Sequence, residues 1–123
     1  MGRSSIPILR VGENLLVSVQ RDLHDDIAEA FQEDLLVTIE RDGAAGLLID
    51  ISALDIVDSY AARVLADTAK MARLMGTESV IVGMRPEVAA TLVRMGYSMP
   101  GVHTAINLDE GLALLGRRAR AIR

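Results

Sequence analysis

The sequence predicts an α/β fold: a small mixed sheet, opening with a hairpin and continuing in parallel strands, packed with about four helices. Three observations predict it. From residue 25 onward, apolar runs of strand length alternate with longer stretches of helical periodicity, the pattern of strand–helix–strand units with parallel pairing and right-handed crossovers. Gly46 to Ile51 reads GLLIDI, a near-continuous apolar run, as a strand covered on both faces requires. Half of the 123 residues are apolar, yet only Phe31, Tyr60 and Tyr97 are aromatic, so the core must be built from Val, Leu, Ile, Ala and Met. A chain of this length can bury one such core without disulfides or metals.

Taken in order, Pro7 to Val11 is a first short strand, Gly12-Glu13-Asn14 a turn, and Leu15 to Val19 an alternating second strand. Asp25 and Asp26 cap a helix whose Ile27, Phe31, Leu35 and Ile39 recur on one face, with Glu29, Gln32, Glu33 and Glu40 wet and Gly43 as the stop. The central strand GLLIDI follows. Asp58 then begins a second helix with Ala61, Val64, Leu65, Thr68, Met71, Ala72 and Met75 as its buried stripe, Arg63, Asp67 and Lys70 outside, and Gly76 closing it. Ser79 to Val82 is the next strand. Pro86 opens a third helix carrying Val88, Leu92 and Met95 and ending at Gly96. Val102 to Ile106 forms the last strand, and Asn107 with Glu110 caps a final helix through Leu112, Leu115 and Ala119. Residues 1–123 thus read as one domain, with 117–123 a basic C-terminal tail.

Several functions are excluded or disfavoured by composition. No cysteine is present, which removes disulfides, thiolate metal sites and cysteine nucleophiles. The net charge of −4 speaks against nucleic acid as a partner, because phosphate contacts need a concentrated basic face, and Arg117, Arg118, Arg120 and Arg123 read as helix-end charge and a solvated tail. No apolar run approaches the roughly 20 residues of a membrane span, and Met1 to Arg10 lacks the apolar stretch of a secretory signal, so a cytoplasmic protein is expected. His24 and His103 lie far apart in sequence and outside any motif. There is no Gly-rich phosphate loop, zinc-type spacing or G-x-S-x-G elbow, so no catalytic residue, cofactor or metal is assigned.

In open sheets, sites gather at the carboxyl ends of the parallel strands, which directs attention to the loop Ser52 to Asp58. Asp50, Asp55 and Asp58 cluster there and motivate one reading as a Mg²⁺-dependent phosphoacceptor of receiver type, centred on Asp50 with Asp25 and Asp26 as ligands. Receivers place their acidic pair directly after the first strand and a lysine at the end of the last. Here a hairpin precedes Asp25, and the only lysine, Lys70, lies in a helix. Ser59 is more informative. With Asp58 as N-cap it falls in the first turn, its hydroxyl exposed near backbone N–H groups, where the positive end of the helix dipole would accommodate a phosphate.

The strand GLLIDIS at Gly46 to Ser52, the acidic loop to Asp58-Ser59, the Ala61-Ala62 helix and VIVGMRPEVAATLVRMG at Val80 to Gly96 together resemble a STAS domain, the domain of bacterial anti-sigma-factor antagonists. The resemblance covers essentially the whole chain, and the bare domain with Asp-Ser-Tyr-Ala looks most like the small stressosome subunits of that family. It implies that Ser59 is phosphorylated by a switch serine kinase of the RsbT type. The unphosphorylated chain would hold that kinase, together with a longer RsbR-type STAS co-antagonist, in a large cytoplasmic assembly of homodimers. A PP2C-type phosphatase would reset the serine. Asp55, Asp58, Tyr60, Ala61, Ala62 and Arg63 are the expected kinase-binding residues. Sporulation-type antagonists continue Asp-Ser-Ser-Gly where this chain has Tyr60 and Ala61, which favours the stressosome branch over a free-standing antagonist.

Overall fold

The structure, a computed structural model, describes residues 6–20, 25–96 and 102–122. Strands β1 (Ile8–Val11) and β2 (Asn14–Ser18) form the expected antiparallel hairpin, with Leu9 opposite Leu16. There follow α1 (Asp25–Asp42), β3 (Gly46–Asp50), α2 (Ser59–Leu74), β4 (Glu78–Val82), α3 (Pro86–Arg94), β5 (His103–Ala105) and α4 (Leu108–Ile122). The five strands lie side by side in chain order, and every pair after the first is parallel.

A parallel sheet in which neighbours in sequence are neighbours in space keeps its right-handed crossover helices on one face. The burial pattern shows this. Leu15, Val17, Leu47, Ile49 and Ile81 share one apolar cluster with Phe31, Leu35 and Ile39 of α1, Leu65 and Ala72 of α2, and Val88 and Leu92 of α3. The alternate residues Leu48, Val80 and Val82 point the other way and pack against Leu115, with Leu108 and Leu112 beside it, on α4. The run GLLIDI is apolar on both faces because α4 closes the second one. A Cβ on Gly111 of α4 would stand 2.7 Å from Leu48 Cδ2 and 2.8 Å from Val82 Cγ1. Glycine there allows the helix to lie close on the strands.

Three details differ from the sequence reading. Met71 and Met75 were expected in the core but are 40% and 44% exposed, and Met95 is also exposed. Ala61, Ala62, Ala66, Ala69 and Ala72 make the contact face of α2 instead, and such small residues seat the helix so close that the longer side chains fall at its margin. Gln32, expected to be wet, is half-buried, and its Nε2 donates to Thr68 Oγ1 at 3.0 Å while that hydroxyl donates to Val64 O. Finally, the basic tail is not a tail, because α4 continues through it to Ile122; Arg117 is exposed, and the side chains of Arg118, Arg120 and Arg123 lie outside the described residues. One polar atom is left over: Ser79 Oγ, buried on β4, has no hydrogen-bond partner among the described residues.

Candidate functional site

Ser59 stands where the central strand hands the chain to α2. After Asp50 the loop does not wander over the surface. Ile51, Leu54 and Val57 are 1%, 2% and 3% exposed, so every third residue is driven into the core and the segment is pinned at three points. Leu54 N–H donates to Ile51 O at 2.9 Å, and the Asp50 carboxylate accepts from Ser52 N–H at 2.9 Å. The residues between the anchors, Asp55 and Ile56, are turned to solvent with Asp58 and Ser59.

Asp58 ends the loop with extended backbone, φ −83° and ψ 178°, and its Oδ1 accepts from Ala61 N–H at 2.8 Å while its carbonyl accepts from Ala62 N–H at 2.9 Å. This is an N-cap, and it makes Ser59 the first residue of the helix. Losing such a cap costs about 0.5–2 kcal/mol. Asp58→Ala is therefore expected to lower the unfolding free energy in urea by that amount without changing the sheet; a loss below about 0.3 kcal/mol would show that the cap contributes nothing.

A neighbouring loop braces the pedestal. Arg85, which precedes α3, donates from Nε to Ser52 O at 3.0 Å. Gly83 has φ +76°, and a Cβ there would meet Ser52 Cβ at 2.8 Å and Ser52 Cα at 3.3 Å, so a side chain would both strain this backbone and push the loop outward. Beside it, a cleft of about 480 Å³ opens between the ends of β3 to β5 and the start of α4, lined by Asp50, Ser52, Gly83, Ile106, Asn107 and Asp109. Ser59 is not part of that lining.

The expected contact residues divide sharply. Asp55, Asp58 and Arg63 are exposed, and Tyr60 is half-buried against the core. Ala61 and Ala62 are 4% and 0% exposed, so their side chains offer no surface to a partner and serve the helix–sheet contact instead. Ile56, not singled out in sequence, is 67% exposed three residues before Ser59. Its signal was the three-residue spacing of Ile51, Leu54 and Val57, which leaves Ile56 with no place in the core.

Among the described residues no three His, Cys, Asp or Glu side chains are placed to share a cation. Asp50 instead serves its own turn, and the side chains of Asp25 and Asp26 lie outside the described residues. His24 lies outside them too, and His103 faces Glu78 at 3.1 Å on the short edge strand, where it ties β5 to β4. Among the described residues, no helix is long and apolar enough to cross a membrane.

Comparison with known proteins places this geometry. The family model of the STAS domain matches residues 5–110. A serine-to-glutamate variant of RsbS from Moorella thermoacetica superimposes with a TM-score of 0.84 at 41% identity, covering 95% of this chain and 99% of that one. A chain of the stressosome, a signal integration and transduction hub, gives a TM-score of 0.82 at 43% identity, covering 93% of this chain and 99% of that one. The RsbT co-antagonist protein RsbRA of Bacillus subtilis is 29% identical over 109 residues, which are 88% of this chain but 40% of that protein. The chain thus spans about two fifths of the length of that curated relative.

Proposed function

The chain belongs to the STAS domain family, and on that premise we propose that it is a stressosome-type scaffold and antagonist. It holds a switch serine kinase of the RsbT type in a large cytoplasmic assembly and releases it when Ser59 is phosphorylated. The observation that carries this reading is the exposed Ser59 at the first position of α2, on a loop anchored so firmly that a partner meets a preformed surface. Similarity to RsbS and to the stressosome chain over nearly the whole of this sequence supports the scaffold role. Similarity to an RsbT co-antagonist supports both the kinase and a longer STAS protein as partners. A PP2C-type phosphatase returns the serine to its free form. The ATP chemistry belongs to the kinase, and this chain acts as substrate and scaffold.

The test is phosphoryl transfer with the kinase added. Incubation with an RsbT-type kinase, Mg²⁺ and ATP is expected to place one phosphate on the peptide containing Ser59, stable to acid and to hydroxylamine. Ser59→Ala accepts none, and Asp50→Asn, shown to be folded, accepts as much as the wild type. Without kinase no phosphate is incorporated. Labelling in its absence, or a hydroxylamine-labile label lost in Asp50→Asn, would overturn the reading in favour of an aspartyl phosphoacceptor.

A further inference from the structure

Ile56 is exposed on the loop that carries Ser59, and its neighbours are the reason. Ile51, Leu54 and Val57 take the places that the core offers this segment, which leaves Ile56 67% exposed between Asp55 and the capping Asp58. Water is a poor solvent for that surface, and nothing in the chain covers it. It is also held in place. The residues that bracket Asp55 and Ile56, Leu54 and Val57, are 2% and 3% exposed, and a β-branched side chain has few rotamers to choose from. A partner that buries Ile56 therefore spends little in ordering it.

Distance connects it to the serine. Three residues of chain span at most about 11 Å when fully extended, so Ile56 lies within that distance of Ser59. A specific interface covers ~800 Å² of each partner, a disc of about 16 Å radius. A contact of that size centred on Ser59, where the γ-phosphate must come within about 3–3.5 Å of Oγ before transfer, covers Ile56 as well. Other exposed apolar side chains lie elsewhere. Leu74, at 89%, stands at the opposite end of α2, about 22 Å along the helix from Ser59. Ile106, at 80%, lines the cleft from which Ser59 is absent.

We infer that Ile56 is the docking residue through which this chain presents Ser59 to its kinase, and that the kinase carries, beside its active site, an apolar pocket rimmed by cationic side chains. The pocket is apolar to take Ile56. Its rim is cationic because the exposed carboxylates of Asp55 and Asp58 come down around it, and an apolar centre within a polar rim is the usual build of a protein interface. A kinase with a polar or acidic surface there would leave Ile56 wet or set acid against acid, so the residue also selects which kinase is admitted. The inference rests on the phosphorylation reading above and adds the contact that precedes transfer. Ile56 is a docking residue only: its contact is the same before and during transfer, so it belongs to binding and is read in KM.

Initial rates of phosphoryl transfer from ATP, with the switch kinase fixed and this chain varied, test it. Ile56→Ala is expected to raise KM for this chain by about tenfold and to leave kcat within about twofold, with an unchanged urea midpoint because the side chain is exposed. Ile56→Met, which restores the apolar volume, is expected to return KM to within about threefold of the wild type. Leu74→Ala, equally apolar and exposed but at the far end of α2, is expected to change neither constant. A wild-type KM in Ile56→Ala overturns the docking role, as does a rise that Ile56→Met does not repair or that Leu74→Ala reproduces. In each of those cases phosphate found on Ser59 leaves the phosphorylation reading standing. A wild-type chain that takes no phosphate on Ser59 overturns both.

Discussion

Phosphorylation of Ser59 is expected to weaken binding of the kinase by roughly thirtyfold or more while leaving the fold intact. The phosphate adds about −1.5 to −2 charge at pH 7. It does so beside Asp58 and Asp55, both exposed, in a chain already at −4. Inside the molecule the N-terminus of α2 offsets part of this charge, by about 0.3–1 kcal/mol at an exposed position, so unfolding midpoints should barely move. Across an interface built for a neutral hydroxyl, the same charge is buried without a counter-charge. A penalty of about 2 kcal/mol, below the 3–5 kcal/mol of a fully buried unpaired charge, already amounts to roughly thirtyfold in affinity. Ser59→Ala therefore keeps the kinase bound and blocks signalling. Ser59→Asp, with a single charge and without phosphate geometry, falls between the two. Titration of the kinase against free and phosphorylated protein decides the matter, and equal affinity for both would sink the release mechanism even with Ser59 phosphorylated.

For stability the largest single effect is expected from Phe31→Ala, at about 3–5 kcal/mol. Phe31 is fully buried, in a core otherwise made of aliphatic side chains. It projects from α1 into the cluster that joins the helices to the sheet, and its removal opens a cavity that the rigid strands below cannot fill. Against a total of roughly 5–15 kcal/mol, such a loss brings the fold close to its limit. The adjacent Gln32 to Thr68 bond should loosen with it, so the effect reaches α2 and Ser59. Urea titration measures the loss; a change below about 1 kcal/mol would show that the core repacks freely around the missing ring.

The element order, the parallel pairing and the cap at Asp58 were legible because each rests on local chemistry: alternating periodicities, a continuous apolar strand, and a carboxylate three residues before the N–H it accepts from. What misled was distance. Periodicity tells which side of α2 faces the sheet, but not how near it lies, and the alanines bring it near enough to exclude Met71 and Met75 and to bury Ala61 and Ala62. Charge misled in the same way at the C-terminus, where Arg117 to Arg123 suggested a tail and the apolar spacing of Leu108, Leu112 and Leu115 had already started a helix that runs on to Ile122. At the candidate site the place of Ser59 in the first turn of α2 was legible from the capping Asp58 before it. Ile56 was hidden because an isoleucine among carboxylates reads as core until its neighbours are seen to take all the buried places.

If Ser59 is the phosphorylated switch proposed above, the three anchors beneath the loop, Ile51, Leu54 and Val57, also bear on how its signal would be stored. A segment bolted into the core at every third residue has little freedom to adopt a second arrangement, so the modified and unmodified proteins share one shape. The information then resides in a single covalent bond and not in an alternative packing. Erasing it would take one hydrolysis, with no slow relaxation to follow, and under that proposal the record at any moment would reduce to the ratio of two enzymatic rates.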